Sequence, residues 1–327
     1  MDNMSGNNST GPAANSITRR RPTRNAPEGT PDIFIVSPDA PDQFLQKLHE
    51  VEGVHDFVDG YNGIDMLTRL GGMDLSKGRR VIFAWRDPEY PSGALISVQA
   101  ALTTGTPDDI HKVISVSDIV TGQPDTMTLY SISNWGRARG VGEPFLKELV
   151  NFIHREFPHI KHIVTLSPIP KMRSWITNAP DSVFEMAGIE RRPGFFKDIV
   201  LNAKSYDGLD PELYCQLAKL AALHILGGTR AIDGSLIPND HVVHGFHQKR
   251  GAVAERLCLY ANNSLKGFEQ SWGLMVNFAN SVDPAIASAA YERGEPIIRP
   301  EMRIWLPPRS PANFHRTLWT PAPQPGA

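Results

Sequence analysis

The sequence predicts an α/β fold in which a mixed β-sheet is flanked by helices. Short runs of apolar and β-branched residues alternate with segments of helical periodicity. One of these runs is followed by a glycine-containing turn and an amphipathic helix, and further strand-like runs come after the last long helix. A chain that alternates in this way covers its sheet with helices on both faces, and we expect the sheet to be completed late in the chain.

The predicted elements are defined by the spacing of their apolar residues. Helices are predicted at residues 41–51, 142–157 and 211–226. Strands are predicted where β-branched runs are bounded by turn residues. They are residues 81–85, 94–102, 127–132, 162–166, 242–246, 253–260 and 273–278.

The composition is that of an ordinary globular protein, and it argues against several function classes. Of the 327 residues, 41% are hydrophobic and 21% are charged, and 33 basic against 35 acidic side chains leave a net charge of -2. That balance indicates neither a nucleic-acid partner nor an anionic membrane surface. No apolar run is long enough to predict a membrane span. Cys215 and Cys258 are too few for a disulfide framework or a cysteine zinc site, so we expect a cytoplasmic protein.

Three regions of the chain differ in composition. Residues 1–30 are rich in Asn, Ser, Gly and Pro and lack the apolar run of a signal peptide, so a disordered tail is predicted. An organellar presequence is the alternative, but it would normally have an amphipathic face, and this segment shows none. We expect residues 31–306 to form one folded catalytic body, and residues 307–327 to form a Pro-rich tail on the surface.

A candidate anion site follows the predicted strand at 127–132. Arg137, Gly140 and Gly142 are spaced R-x-x-G-x-G and open the helix at 142–157. Glycine lacks the Cβ that would block a phosphate, and the helix N-terminus adds its positive dipole end. Glycines that only permit a tight turn are the alternative interpretation. In this strand, turn and helix setting the stretch resembles the turn with which acetyltransferases of the GNAT superfamily hold the pyrophosphate of coenzyme A.

Other segments resemble signature blocks of the malonyl-CoA decarboxylase family, in the same order over about residues 45–280. The strongest are residues 155–160 (REFPHI) and 166–170 (LSPIP). The others are residues 54–55 (VH), 79–80 (RR), 101–103 (ALT), 130–133 (YSIS), 246–252 (FHQKRGA), 264–267 (SLKG) and 273–278 (GLMVNF).

The resemblance implies a GNAT-like (acetyltransferase-like) α/β catalytic domain, a reaction without cofactor or metal, and an acyl-CoA or acyl-carrier-protein substrate. It places Ser167 and His247 at the two catalytic positions of the family. Asn277 is a candidate for holding the acyl group, and bonding to the local backbone is its alternative role. The turn is implied to bind coenzyme A or phosphopantetheine through Arg137, Arg139, Gly140, Val141, Gly142 and Glu143.

Three departures from the family pattern bear on the substrate and the assembly. Family members carry a helical domain ahead of the catalytic domain, which contributes to subunit assembly. We expect this chain to lack it, and a homo-oligomer stays open. The family's GVELG turn reads Gly140-Val141-Gly142-Glu143 here, and Arg250 stands where the family's FHLxNGA block has Asn. We therefore expect differences at the carrier or at the acyl group.

Decarboxylation gives a serine and a histidine distinct tasks. Loss of CO2 from a malonyl thioester leaves an enolate, whose charge must be stabilised and whose carbon must be protonated. A histidine can donate that proton near neutral pH, and a neighbouring hydroxyl can orient the carboxylate or relay the proton. Each residue also has a simpler interpretation. A serine before proline is a common turn residue, and His241, His244 and His247 are spaced like metal ligands, although on a strand His244 would point away from the other two.

The predicted function is decarboxylation of malonyl-CoA, methylmalonyl-CoA or a malonyl-carrier protein, within fatty acid or polyketide metabolism. A GNAT-type acyltransferase is one alternative. It would use the same coenzyme A site, pass the acyl group to an amine, and have no use for paired Ser167 and His247. The other alternative is a non-catalytic module that binds acyl thioesters. Its expected signature is a broken LSPIP or FH block, and both blocks are intact.

Overall fold

A long β-sheet with helices on both sides makes up the part of the chain that the computed structural model describes, namely residues 32–36, 40–52, 80–86, 94–115, 122–135, 142–194, 211–226, 247, 250–280, 298–305 and 316–317. The strands are β1 (Asp32–Ile35), β2 (Arg80–Arg86), β3 (Ala94–Thr103), β4 (Thr126–Asn134), β5 (His162–Thr165), β6 (Ser167–Pro168), β7 (Ala252–Cys258), β8 (Met275–Asn280), β9 (Ile298–Trp305) and β10 (Arg316–Thr317). The helices are α1 (Asp42–Glu52), α2 (Ile110–Ser115), α3 (Gly142–Glu156), α4 (Met172–Asn178), α5 (Asp181–Met186), α6 (Pro211–Leu226) and α7 (Leu265–Ser271).

These strands form one mixed sheet in the order β1-β2-β3-β4-β5-β8-β7-β9-β10, and β6 pairs with β8. β4 is parallel to β5, and β7 is parallel to β9. The other neighbouring pairs are antiparallel. The predicted mixed sheet is therefore confirmed, and β7, β8 and β9 complete it late in the chain.

A bulge in β4 directs two of its side chains to one face. Leu129 pairs with Ala100 and Ser131 pairs with Gln99, so Tyr130 is an extra residue in β4. The alternation of side chains shifts at that point. Leu129 and Ile132 consequently share a face although they are three residues apart, and both line the cavity described below.

Helices cover both faces of the sheet. α3 packs Leu149 against one face, in a core that includes Phe83. α1 packs Leu48 against the opposite face, together with Ile82, the neighbour of Phe83 in β2. α6 packs near Phe278 of β8 and covers the same face as α3, farther along the sheet. The cavity described below opens on this face, between α3 and a second wall that includes His247, Arg250 and Ala252.

β4 and β5 separate next to this cavity. Their parallel pairing ends at Leu129 and Thr165, and the next bond joins Leu166 N to Leu129 O at 3.1 Å. Farther on, β4 stays paired with β3, whereas residues 167–168 pair with β8. β4, α3 and β5 follow one another as the strand, helix and strand predicted from the sequence.

The predicted elements within the described residues are confirmed with ends that agree to within two residues. The predicted strand at 242–246 lies outside the described residues. The helices that were not predicted, α2, α4, α5 and α7, have six or seven residues each, too few to show a helical period. Residues 316–317 of the Pro-rich C-terminal region pair with β9. None of the helices in the described ranges is long and apolar enough to cross a membrane.

Candidate active site

Ser167 and His247 meet in the interior although 80 residues separate them. Ser167 Oγ lies 3.2 Å from His247 Nε2, a hydrogen-bond distance. The two residues are only 8% and 6% exposed. Burial strengthens a bond between polar groups because little water competes for either partner. The structure thus brings together the two side chains that the sequence proposed as catalytic.

Thr165 is the last residue of β5 and is bonded to Ser167 of this pair. Ser167 Oγ donates a hydrogen bond of 2.9 Å to Thr165 Oγ1. The same Thr165 oxygen accepts a bond of 3.2 Å from the backbone N–H of Phe278 in β8. Residues two apart on extended backbone point to the same side, so the Thr165 and Ser167 hydroxyls lie on the same side of the sheet.

His247 is held by an aromatic ring and a tight turn. Its imidazole stacks on Phe278, with 4.4 Å between ring centroids and 20° between planes. Its carbonyl accepts a bond of 3.1 Å from Arg250 N. His247 is a helical residue, so the strand alternation considered for the three histidines does not apply to it. His241 and His244 lie outside the described residues, within which no three His, Cys, Asp or Glu side chains are grouped as metal ligands.

Asn277 lies on the other side of the sheet. Its neighbours Val276 and Phe278 pack in the core beneath α6, so by alternation its amide points to the opposite face. There its Nδ2 donates to Thr165 O at 2.9 Å and to Pro107 O at 3.2 Å. The bond to Thr165 O anchors the Thr165 backbone.

Cys258 completes that buried network. Its Sγ donates to Asn277 Oδ1 at 3.0 Å. Burial raises the pKa of the Cys258 thiol well above its usual range, so the thiol stays neutral and keeps its proton for this bond. Cys258 is therefore a structural donor beneath the site, and not a reactive thiolate.

A cavity of about 320 Å³ opens onto His247 and Thr165. Apolar residues of β4 and α3 form much of its wall, and Thr165 and His247 reach its surface. Three basic side chains also line it, Lys147 and His154 from α3 and Arg250 from the turn after His247. The lining residues are Leu129, Ile132, Leu146, Lys147, Val150, Asn151, His154, Thr165, His247, Arg250, Ala252 and Asn280. An apolar chamber with basic groups at its wall suits a largely apolar ligand that carries an anionic group.

The N-terminus of α3 lies one helical turn from this chamber. Residues 136–141 lie outside the described residues, and Gly142 is the first residue of α3. Leu146, one turn later, already lines the cavity. A ligand whose phosphates lay at the N-terminus of α3 could therefore extend along the same helix toward His247.

Sequence reasoning missed three residues of this site. Thr165 carries a signal in hindsight, because it precedes Ser167 by two residues on an extended segment and so faces the same way. Lys147 and His154 are seven residues apart, which places them on one face of α3. The apolar spacing that predicts α3 carries no information on the polar residues beside its apolar face.

The chain resembles known proteins along most of its length. It is 29% identical over 266 residues to the mitochondrial malonyl-CoA decarboxylase of Rattus norvegicus, a match that covers 73% of this chain and 51% of that protein. A mouse protein of the same name is 28% identical, with the same coverage of both chains. The chain thus spans about half the length of the curated relatives that it matches.

Solved structures agree on the fold. The crystal structure of malonyl-CoA decarboxylase from Agrobacterium vitis has a TM-score of 0.61 and 26% identity, over 83% of this chain and 66% of that one. The corresponding protein of Cupriavidus metallidurans has a TM-score of 0.64 and 24% identity, with the same coverage. A family model described as the malonyl-CoA decarboxylase C-terminal domain matches residues 34–294. Because that match takes in both Ser167 and His247 and most of the chain, the protein belongs to the malonyl-CoA decarboxylase C-terminal domain family.

Proposed function

We propose that the protein is a decarboxylase that converts a malonyl-type thioester to the corresponding acyl thioester and CO2. The observation that carries the proposal is the buried contact between Ser167 and His247, whose side chain lines a largely apolar cavity. The names of the relatives, malonyl-CoA decarboxylases, agree with it.

The reaction breaks the bond between the α-carbon and the carboxylate. Its electron pair moves into the thioester as an enolate, and a proton then takes the place of CO2 on the α-carbon. Hydrogen-bond donors aimed at the growing oxyanion stabilise this step, so the reaction needs no cofactor or metal. His247 supplies the proton, and Ser167 orients the carboxylate or relays that proton.

The cavity wall fits the substrate as well as the product. The basic groups of Lys147, His154 and Arg250 attract an anionic substrate. The apolar wall contributed by β4 and α3 accommodates neutral CO2 and keeps water from the enolate. Arg250 stands beside His247, so its charge acts on the acyl end of the ligand.

We place the coenzyme A or phosphopantetheine arm at the turn before α3. Backbone N–H groups and the side chains of residues 137 and 139 hold the pyrophosphate there, and Gly140, Val141, Gly142 and Glu143 shape the turn. This placement is supported by the start of α3 at Gly142 and by the cavity that follows the same helix.

Asn277 supports the acyl site through its bond to Thr165 O. A cytoplasmic location and a homo-oligomer remain predictions.

The test supplies a substrate without an acceptor. Malonyl-CoA, methylmalonyl-CoA and malonyl-carrier protein, each labelled with ¹³C in the free carboxylate, are incubated with the protein, and labelled CO2 and the acyl thioester are measured together. We expect equal amounts of both products from at least one substrate, and none from a Ser167→Ala/His247→Ala variant. Acyl transfer to an added amine without CO2 would instead identify an acyltransferase. Binding without turnover of any of the three would identify a binding module.

A further inference from the structure

We propose that Thr165 is a positioning residue that accepts the hydroxyl proton of Ser167 and so keeps the His247 ring protonated on Nε2. The inference deepens the proposed function, because it assigns the direction of each hydrogen bond in the pair. It also distinguishes two mechanisms that a serine beside a histidine can support. In one the serine is a nucleophile, and in the other the histidine is a general acid.

A proton count at Ser167 gives the direction. A serine hydroxyl has one proton and two lone pairs. That proton is given to Thr165 Oγ1 at 2.9 Å. Ser167 Oγ is then an acceptor toward His247, and the 3.2 Å contact requires a proton on Nε2. The imidazolium and the Nε2–H neutral ring both meet this requirement, whereas the Nδ1–H neutral ring does not.

Thr165 is firmly held in the acceptor position. Its Oγ1 receives the Phe278 N–H, and its backbone carbonyl receives Asn277 Nδ2. It is 7% exposed, and its β-branched side chain has few rotamers. Asn277 is itself fixed by Cys258. The network therefore runs from beneath the sheet to the cavity and ends at the His247 ring.

The direction suits proton delivery and disfavours a serine nucleophile. A nucleophilic serine gives its proton to the histidine, which requires a free lone pair on Nε2. Here the imidazolium donates from Nε2 to Ser167. In the relay, Ser167 turns its own proton from Thr165 to the enolate carbon as it receives the proton of the imidazolium. The carbon of the enolate gains one proton, and the ring is left neutral with its proton on Nδ1. Solvent then restores the imidazolium for the next turnover.

Among the described residues that line the cavity with His247, the charged ones are basic. Lys147 and His154 of α3 and Arg250 of the same turn line the cavity with His247, while β5, β7 and β8 contribute Thr165, Ala252 and Asn280 there. These groups are the same in a Thr165 variant and in the parent. A change in the pH dependence on substitution of Thr165 therefore reports the hydrogen bond and not the surrounding charge.

The experiment compares Thr165→Val, which removes the hydroxyl at similar size, with Thr165→Ser, which keeps it. Thr128→Val is the matched control, because Thr128 is also buried, lies on the neighbouring strand and bonds through its hydroxyl to Thr103 at 3.3 Å. kcat, KM, the pH–rate profile and thermal unfolding are measured with the substrate that releases CO2.

We expect Thr165→Val to lower kcat about ten-fold with little change in KM, the effect of one lost hydrogen bond. In that variant Ser167 can donate to Nε2 and stabilise the neutral Nδ1–H ring. The alkaline limb of the profile should then move to lower pH by about 0.5 to 1 unit. Thr165→Ser should keep the alkaline limb at the parental pH. Thr128→Val should lower the unfolding temperature and leave the alkaline limb at the parental pH. A Thr165→Val protein with parental kcat and limb would overturn the proposal, as would a shifted limb in Thr128→Val.

A second measurement needs no variant of Thr165 and no substrate. The ¹⁵N spectrum of the imidazoles in the parent protein identifies the protonated nitrogen, with His247 assigned by its loss in His247→Gln. A ring that carries its proton on Nε2 is the expected result, and a neutral Nδ1–H ring contradicts the inference. The spectrum can show an Nδ1–H ring in a protein that still releases CO2, and it can show a proton on Nε2 in a protein that does not. Failure of this inference is therefore distinguishable from failure of the proposed function.

Discussion

The backbone at Ser167 fixes the position of its side chain, whereas neighbouring residues fix the position of the His247 side chain. Ser167 precedes Pro168, and both pair with β8, so the chain has little freedom at that point. His247 depends on the Phe278 ring and on the turn closed by Arg250 N. A substitution that removes either side chain should therefore affect chemistry more than folding, since the framework of each lies in the backbone or in another residue.

At the residue scale we predict that His247→Ala lowers turnover by about 10²- to 10⁴-fold and barely changes thioester binding, as expected for a lost general acid. Ser167→Ala should also lower turnover. The loss of turnover in the double variant, expressed as a free energy of activation, should be smaller than the sum of the two single losses, because the two residues act as one unit. Steady-state rates of CO2 release and binding titrations of the four proteins check this.

His224→Ala is the matched control for that series. His224 is also buried and packs its ring 4.8 Å from Trp175, yet it lies on α6 and not among the cavity residues. It should lose thermal stability and keep its rate. A folded His247→Ala protein that releases CO2 at the parental rate would remove His247 from the mechanism.

At the element scale, two family blocks turn out to have different purposes. Ser264 is the N-cap of α7, where its side chain accepts from Gly267 N at 3.1 Å. A Cβ at Gly267 would lie 2.5 Å from Asn262 Cγ, so only glycine fits there. This block is thus explained by local structure. The block at 166–170, in contrast, carries Ser167 into the site.

The turn before α3 yields an element-scale prediction. If Arg137 binds the pyrophosphate, Arg137→Ala should raise KM for malonyl-CoA by about 10- to 100-fold, the usual worth of a hydrogen bond to a charged group. It should leave KM unchanged for malonyl-N-acetylcysteamine, a short thioester without phosphates. Steady-state kinetics with both substrates check this.

Arg155→Ala is the control on the same helix. Arg155 lies in the last turn of α3, is largely exposed and bonds to Glu156 at 2.9 Å, far from the turn that opens the helix. It should leave both KM values unchanged. An equal rise in KM for malonyl-CoA and for malonyl-N-acetylcysteamine in Arg137→Ala would show that Arg137 supports folding or the acyl site and does not bind the phosphates.

At the scale of the whole molecule, we predict that residues 1–30 can be removed with little loss of activity, since their composition cannot support a packed core. Removal of residues 1–36 is the comparison, because it also deletes β1 and the buried Ile33. Thermal unfolding and CO2 release of both truncated proteins are measured. Loss of folding on removal of residues 1–30 would show that the segment docks on the body.

The sequence by itself determined the long elements and, through the family blocks, the identity of the catalytic pair. Helical and strand periods depend on neighbours within a few residues, so α3, α6 and most strands could be predicted. Ser167 and His247 were proposed from the resemblance, because no local pattern joins residues so far apart. The side of the sheet that Asn277 occupies was not predicted, since it depends on how β8 pairs with its neighbours.

The tertiary structure alone decided the cavity and the contact between Ser167 and His247. β8 lies between β5 and β7, which brings Phe278 beneath His247 and beside Thr165. α3 supplies Lys147 and His154 and the turn after His247 supplies Arg250, and the three side chains line one cavity. These contacts join parts of the chain that are distant in sequence. They depend on strand order and on helix placement, which follow from burial of apolar surface over the whole sheet and are not encoded in local residue spacing.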